Sequence, residues 1–148
     1  MIYFEQDFID FFSELEKNNH KDWFDENRKR YLKNIKAPFE ALVGELIIAF
    51  GQTVDGIQIE TKDAMLRINR DIRFSKDKTP YLTHVSAIIS EKGRKDKGVP
   101  GLYICCNHKE ITLYGGVYMS SKERLLSIRN AIAANPKEFK NLLENSSF

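Results

Sequence analysis

Leu66-Arg67-Ile68-Asn69-Arg70-Asp71-Ile72-Arg73-Phe74-Ser75-Lys76-Asp77-Lys78-Thr79-Pro80-Tyr81-Leu82-Thr83-His84 is the stretch on which the fold of this chain turns. Its first four residues alternate apolar and polar, the period of a strand. From Ile72 to Pro80 the alternation fails and the residues are those of an irregular connection. Asp77 is placed to accept backbone amides in an Asx turn, and Pro80 pushes Thr79 toward extended geometry. Helical periodicity dominates before this stretch and strand periodicity after it. It marks the junction between a helical half and a sheet.

Upstream, Phe4, Phe8, Phe11, Phe12 and Leu15 recur at helical spacing with acidic and basic residues between them. That pattern predicts an amphipathic helix with a core-facing Phe stripe, ending near Asn18-Asn19. Asn19 is expected to cap the next helix, with Asp22 three residues on. This second helix carries Trp23, Phe24, Tyr31 and Ile35 on one side and Arg28, Lys29, Arg30 and Lys33 on the other. Pro38 marks a break or a first turn. A third helix through Phe39, Leu42, Val43, Leu46, Ile47 and Phe50 is stopped by Gly51.

Downstream, Ile57 with Ile59, Leu66 to Asn69, and His84 to Ser90 all alternate as strands. Leu102 to Cys106 and Ile111 to Val117 flank the turn Asn107-His108-Lys109-Glu110, which predicts a hairpin. Gly115-Gly116 is expected at a bulge or a close approach. Ser120 with Glu123, and Asn135-Pro136 with Glu138, signal two more helix starts. The expectation is one α+β domain over 1–148: helical over 1–51, strands and the polar stretch over 57–90, a hairpin over 101–118, and C-terminal helices over 121–145. A small, mostly antiparallel sheet of four or five strands would have both helix sets packed mainly on one face.

At 148 residues and 42% hydrophobic composition the chain can bury a core without a metal or disulfide. The formal net charge is +2, but its distribution is uneven. Residues 1–61 hold 7 Lys/Arg against 12 Asp/Glu, and residues 62–97 hold 10 against 5. A basic middle following an acidic helical half favours an anion there, or pairing with the acidic helices. Cys105 and Cys106 are neighbours, so on a strand they face opposite ways and neither bond each other nor share a metal. Two free thiols and no export-like N-terminus point to a cytoplasmic location, and no apolar run is long enough to span a membrane.

Four pieces of the chain resemble one family. They are Phe8 to Leu15 running into Asn18-Asn19 and Trp23-Phe24; Arg70-Asp71-Ile72-Arg73-Phe74-Ser75 with Lys76-Asp77-Lys78-Thr79-Pro80-Tyr81; Gly101-Leu102-Tyr103 with Tyr114-Gly115-Gly116-Val117-Tyr118; and Leu125 to Ile132. Together they resemble the bacterial and fungal family of conserved hypothetical proteins catalogued as domain of unknown function 2461. The resemblance implies one fold joining these pieces and transfers no activity. Members usually run on beyond the helix that begins at Pro136, so it also implies a shortened C-terminus here.

Arg70, Arg73, Lys76 and Lys78 are four cations within nine residues, interleaved with Asp71 and Asp77. Guanidinium forks and mobile ammonium groups beside irregular backbone suit a phosphate or carboxylate. The bland alternative is an ion-pair network in which the two Asp residues clamp the Arg residues and, with Pro80, Gly115 and Gly116, serve structure. If chemistry occurs, His84 would be the general acid or base and Tyr81 an orienting donor. Arg129 lies on the apolar side of its helix and reaches the polar cluster or pairs with Asp71. Tyr103, Tyr114 and Tyr118 either stack nucleobases or, more plainly, pack beneath the helices.

No metal site is expected, since His20, His84 and His108 have no ligand spacing and the cations compete for Asp71 and Asp77. No cofactor motif is present. The leading function is recognition of a small anionic ligand through Arg70, Arg73, Lys76, Lys78, Arg129 and Tyr118, with hydrolytic or transfer chemistry attached. The alternatives are a nucleic-acid-binding module and a structural or protein-interaction domain. Membrane association is not expected.

Overall fold

The computed structural model describes residues 3–95 and 97–145. It is an α+β fold: helices precede a three-stranded antiparallel sheet of order β1-β2-β3, and two further helices follow it. Helix α1 (Gln6–Lys17) buries Phe8, Phe11, Phe12 and Leu15, the stripe that the spacing predicts. Side chains of this size contribute roughly 2 kcal/mol each when fully buried. After the short α2 (Lys21–Glu26) the chain stays helical through α3 (Arg28–Arg30), a π-helical segment Tyr31–Lys36 and α4 (Ala37–Gly51).

Pro38 therefore does not break the helix. It has no N–H to give the Asn34 carbonyl, and the wider π turn just before it absorbs the defect, with the Ala37 N–H bonding to Leu32 O. Arg30 ties this helix to α1, bonding Asp7 at 2.8 Å and Glu14 at 2.7 Å while Asn34 donates to Asp7 at 2.7 Å. Arg30 holds the Asp7 carboxyl below its ordinary range.

Strands β1 (Val85–Ser90), β2 (Gly101–Cys106) and β3 (Ile111–Gly116) form the sheet. Val85, Ala87 and Ile89 of β1, with Ile104 and Cys106 of β2, face the helices and join Phe39 and Val43 of α4 in the core. Cys106 is buried and its neighbour Cys105 only half-buried, as strand alternation requires.

The described strands number three, not four or five. Ile57 and Ile59 precede a helical turn, α5 (Thr61–Ala64), and belong to no strand. The 65–69 segment bridges the sheet only at Met65 with Ala87, and its second bridge, Asn69 with Tyr81, closes the loop that follows instead. The Leu66 N–H does bond Ser86 O at 2.9 Å, so the outer edge of β1 is covered without a full strand. Gly115 and Gly116 pair regularly with Leu102 and Gly101, with no bulge between them.

The C-terminal helices α6 (Lys122–Ala134) and α7 (Pro136–Glu144) do not cover the sheet as expected: none of their residues is buried. They pack on each other. The apolar line Leu125, Ile128 and Ile132 is too narrow a stripe to hold α6 down. Caps also shift by one residue. His20 Nδ1, not Asn19, accepts from Trp23 N at the start of α2, and Ser121, not Ser120, accepts from Arg124 N at the start of α6.

Candidate functional site

Residues 70–80 form a projecting loop pinched at its base, where Arg70 N bonds Pro80 O at 2.9 Å and Leu82 N bonds Ile68 O at 2.7 Å. Asn19 holds this base to the helices with a reciprocal pair, donating from Nδ2 to Tyr81 O at 2.9 Å and accepting from Tyr81 N at 3.0 Å. The Tyr81 ring is buried and stacks on Phe24 at 4.0 Å. That packing places Tyr81 in the core.

The loop's charges are spent largely on one another. Arg70 bonds both Asp77 and Thr79 Oγ1. Arg73 forks onto Asp71 at 2.9 and 2.6 Å, and Lys78 Nζ donates to Ile72 O at 2.9 Å. Asp77 makes the Asx turn, accepting from Thr79 N at 2.9 Å. Lys76 is exposed and makes no hydrogen bond or ion pair with a described residue. The network sits at the surface: Arg70 is 25% exposed, Asp77 55% and Arg73 76%. Surface pairs of this kind order a loop more than they stabilise a fold.

Arg70 beside Asp77, with the Thr79 amide and hydroxyl, holds the Asp77 carboxyl down to about 2, against 3.8 for a free Asp. A carboxyl depressed in this way supports the loop above the ordinary Asp range, and that support is lost as pH falls from about 4 to about 2. Carbon-detected NMR titration should find the Asp77 midpoint near 2. A midpoint near 3.8 would mean that the Arg70 contact is not kept in solution.

His84 lies half-buried just before β1, with its imidazole pKa lowered by burial, and makes no hydrogen bond or ion pair with a described residue. It does not join Tyr81 in a bonded pair. Arg129 is exposed on α6, its side chain making no hydrogen bond or ion pair with a described residue, and Asp71 is taken by Arg73 instead.

A second locus lies on the sheet face turned away from the helices. Register puts Ile88, Tyr103 and Tyr114 in one row across β1, β2 and β3, opposite in parity to buried Ala87 and Ile104. These tyrosines therefore do not pack beneath the helices. Their rings lie 6.3 Å apart and 24° from parallel. Burial pushes the Tyr103 phenol up.

The row floors a groove of about 580 Å³ whose walls include Leu66, Val99, Lys97 and Tyr118. Lys97 Nζ sits 5.6 Å from the centre of the Tyr118 ring. Met119 N bonds Lys97 O at 3.0 Å and Arg124 bonds Gly98 O, so the 97–99 segment is tied to the chain leaving β3. Gly115 and Gly116 leave one end of the floor without side chains.

The two loci share none of their residues, although Leu66 of the groove wall is only two residues from Ile68 at the loop base. The loop base is fixed to Asn19 just after α1, near the β2–β3 turn whose His108 approaches Glu16 at 3.5 Å. The groove lies toward the Gly101–Gly116 end. Lys97 and Ile88 carry no functional signal in the sequence, because register sets Ile88 beside the tyrosines and the distant Met119–Lys97 bond holds the Lys97 segment. Among the described residues no group of three or more His, Cys, Asp or Glu is placed to hold a metal ion, and no helix is long and apolar enough to cross a membrane.

No curated protein and no solved structure matches the chain. The model of the conserved hypothetical protein family DUF2461, domain of unknown function 2461, matches residues 7–148, and the chain belongs to that family.

Proposed function

We propose that this domain is a binding module for a small ligand that carries a flat ring and an anionic group. The ring lies against Tyr103 and Tyr114, and the anion is drawn to Lys97. The groove that these residues line is the observation that carries the reading: its volume of about 580 Å³ is within the range of small-molecule sites. Stacked aromatic pairs add about 1 kcal/mol each beyond the area they bury. Lys97 and the tyrosines are the titratable groups among its lining residues, which supports binding rather than hydrolysis or group transfer. One cation suits a ligand of mononucleotide size better than a nucleic-acid strand, which needs several phosphate contacts.

Anion recognition thus moves from the 70–80 loop, where Arg70 and Arg73 already hold carboxylates, to the open sheet face. A thermal-shift and calorimetry panel of aromatic carboxylates, nucleoside monophosphates, sugar phosphates, inorganic phosphate and short oligonucleotides tests this. The expected result is saturable binding of the ring-bearing anions, weakened at least about tenfold (about 1.4 kcal/mol) by Tyr114→Ala or Lys97→Ala and unchanged by Arg73→Ala. Loss in Arg73→Ala alone would return the site to the loop. Preference for the oligonucleotides would favour the nucleic-acid reading, and silence across the panel would sink both.

A further inference from the structure

Strand β3 is an uncovered edge, pairing with β2 alone among the described residues. The 65–69 segment covers the other edge of the sheet. Ile111, Leu113 and Tyr114 are 61%, 55% and 61% exposed. The strand Ile111-Thr112-Leu113-Tyr114-Gly115-Gly116 has no charge, no Pro and no bulge, the devices that normally keep an edge from pairing. Apolar grooves flank it on both faces. Tyr114 borders the open-face groove, and a second groove of about 450 Å³ on the helix side is lined by Phe4, Leu42, Leu46, Ile104, Ile111 and Leu113.

We propose that β3 is the contact surface of a homodimer, in which two copies of this chain pair their β3 strands antiparallel and continue one sheet across both. Such pairing satisfies the free main-chain groups of the edge and is isologous, the commonest symmetry of soluble oligomers. A two-fold axis normal to the sheet requires directly opposed residues to share a face. Ile111 and Leu113 of both copies then gather on the helix side, joining the two grooves beside Leu42 and Leu46. Thr112 and Tyr114 gather on the other face.

Area and charge both favour a second copy. The exposed parts of Ile111, Leu113 and Tyr114 alone amount to roughly 350 Å² of mostly apolar surface, and the edge main chain and the walls of the helix-side groove add to it toward the ~800 Å² per partner of a standard interface. In the antiparallel sense Lys109 and Glu110 of one copy lie toward uncharged Gly116 and Val117 of the other, so no like charges meet. A parallel pairing would set Lys109 beside Lys109.

Sedimentation velocity of the whole chain over a micromolar concentration series tests the proposal, with hydrogen exchange of the β3 amides alongside. The wild type is expected to dimerise with protected β3 amides. Leu113→Lys should weaken association at least about tenfold with an unchanged circular dichroism spectrum. Ile111→Lys repeats the test two residues away on the same face. Leu142→Lys on α7 should still dimerise. A wild type that stays monomeric, a dimer that survives both β3 substitutions, or a dimer lost only in Leu142→Lys would overturn it. Leu113 lies on the opposite face from the tyrosine row, so Leu113→Lys should keep the ligand binding proposed above whichever way the dimer test falls.

Discussion

Gly101→Ala is expected to destabilise the domain by at least about 3 kcal/mol, the upper range for forcing a methyl into a packed site. A Cβ at Gly101 would lie 2.5 Å from Ile89 O and 2.7 Å from Ser90 Cβ, at the last pair of the β1–β2 ladder. Neither neighbour is the tip of a flexible side chain. Ile89 O belongs to backbone, and Ser90 is fully buried with its hydroxyl donating to Gly93 O at 3.2 Å. The pair of strands must therefore part at this end of the ladder, beside buried Ile89 and Ser90. Gly115→Ala is the control, because its Cβ would meet only Leu102 Cδ2 at 3.7 Å. Urea unfolding should place that variant within about 1 kcal/mol of wild type. Equal stability for the two variants would mean that β1 and β2 lie farther apart at Gly101 than the structure has them.

Asn19→Ala should cost about 3 kcal/mol, because it strands two backbone groups at once in a half-buried position. For a domain of this size the melting temperature would fall by about 10 °C. Asn19→Asp separates the two bonds. It keeps the acceptor for Tyr81 N but sets a carboxylate against Tyr81 O, so at neutral pH it should lose at least as much stability. Below the carboxylate range the protonated acid can donate to Tyr81 O, and part of the loss should return. Thermal melts of the three proteins at pH 7 and about pH 3 check this. An Asp variant as stable as wild type at pH 7 would show that the Nδ2 bond contributes nothing.

Most of the helical half was legible in the residues. The α1 stripe, the end of that helix at Asn18, the β2–β3 hairpin, the opposed thiols and the Asx turn at Asp77 all rest on contacts a few residues apart, where spacing states the geometry directly. Asn19 does not cap α2, because its side chain is committed to Tyr81, 62 residues away, a partner that local spacing cannot show. Pro38 does sit in the first turn of α4, but the chain stays helical through it, because a π turn, which has no simple spacing signature, absorbs the proline. The candidate site divided along the same line. The ion pairs of the 70–80 loop are local and could be anticipated, although their exposure could not. The tyrosine groove could not be anticipated, because it depends on which parity of three strands faces the helices and on the 97–99 segment crossing above them.

Periodicity and local side-chain chemistry were enough to establish an α+β chain with a Phe-lined helix, a hairpin and an internally charged loop, because such features need only neighbours along the backbone. Long-range packing settled the rest. It chose which sheet face stays open, left α6 and α7 unburied, spent Arg70 and Arg73 on carboxylates, and brought Lys97 over Tyr118. These outcomes follow from competition between distant surfaces for the same core, and no spacing along the chain records which surface wins that competition.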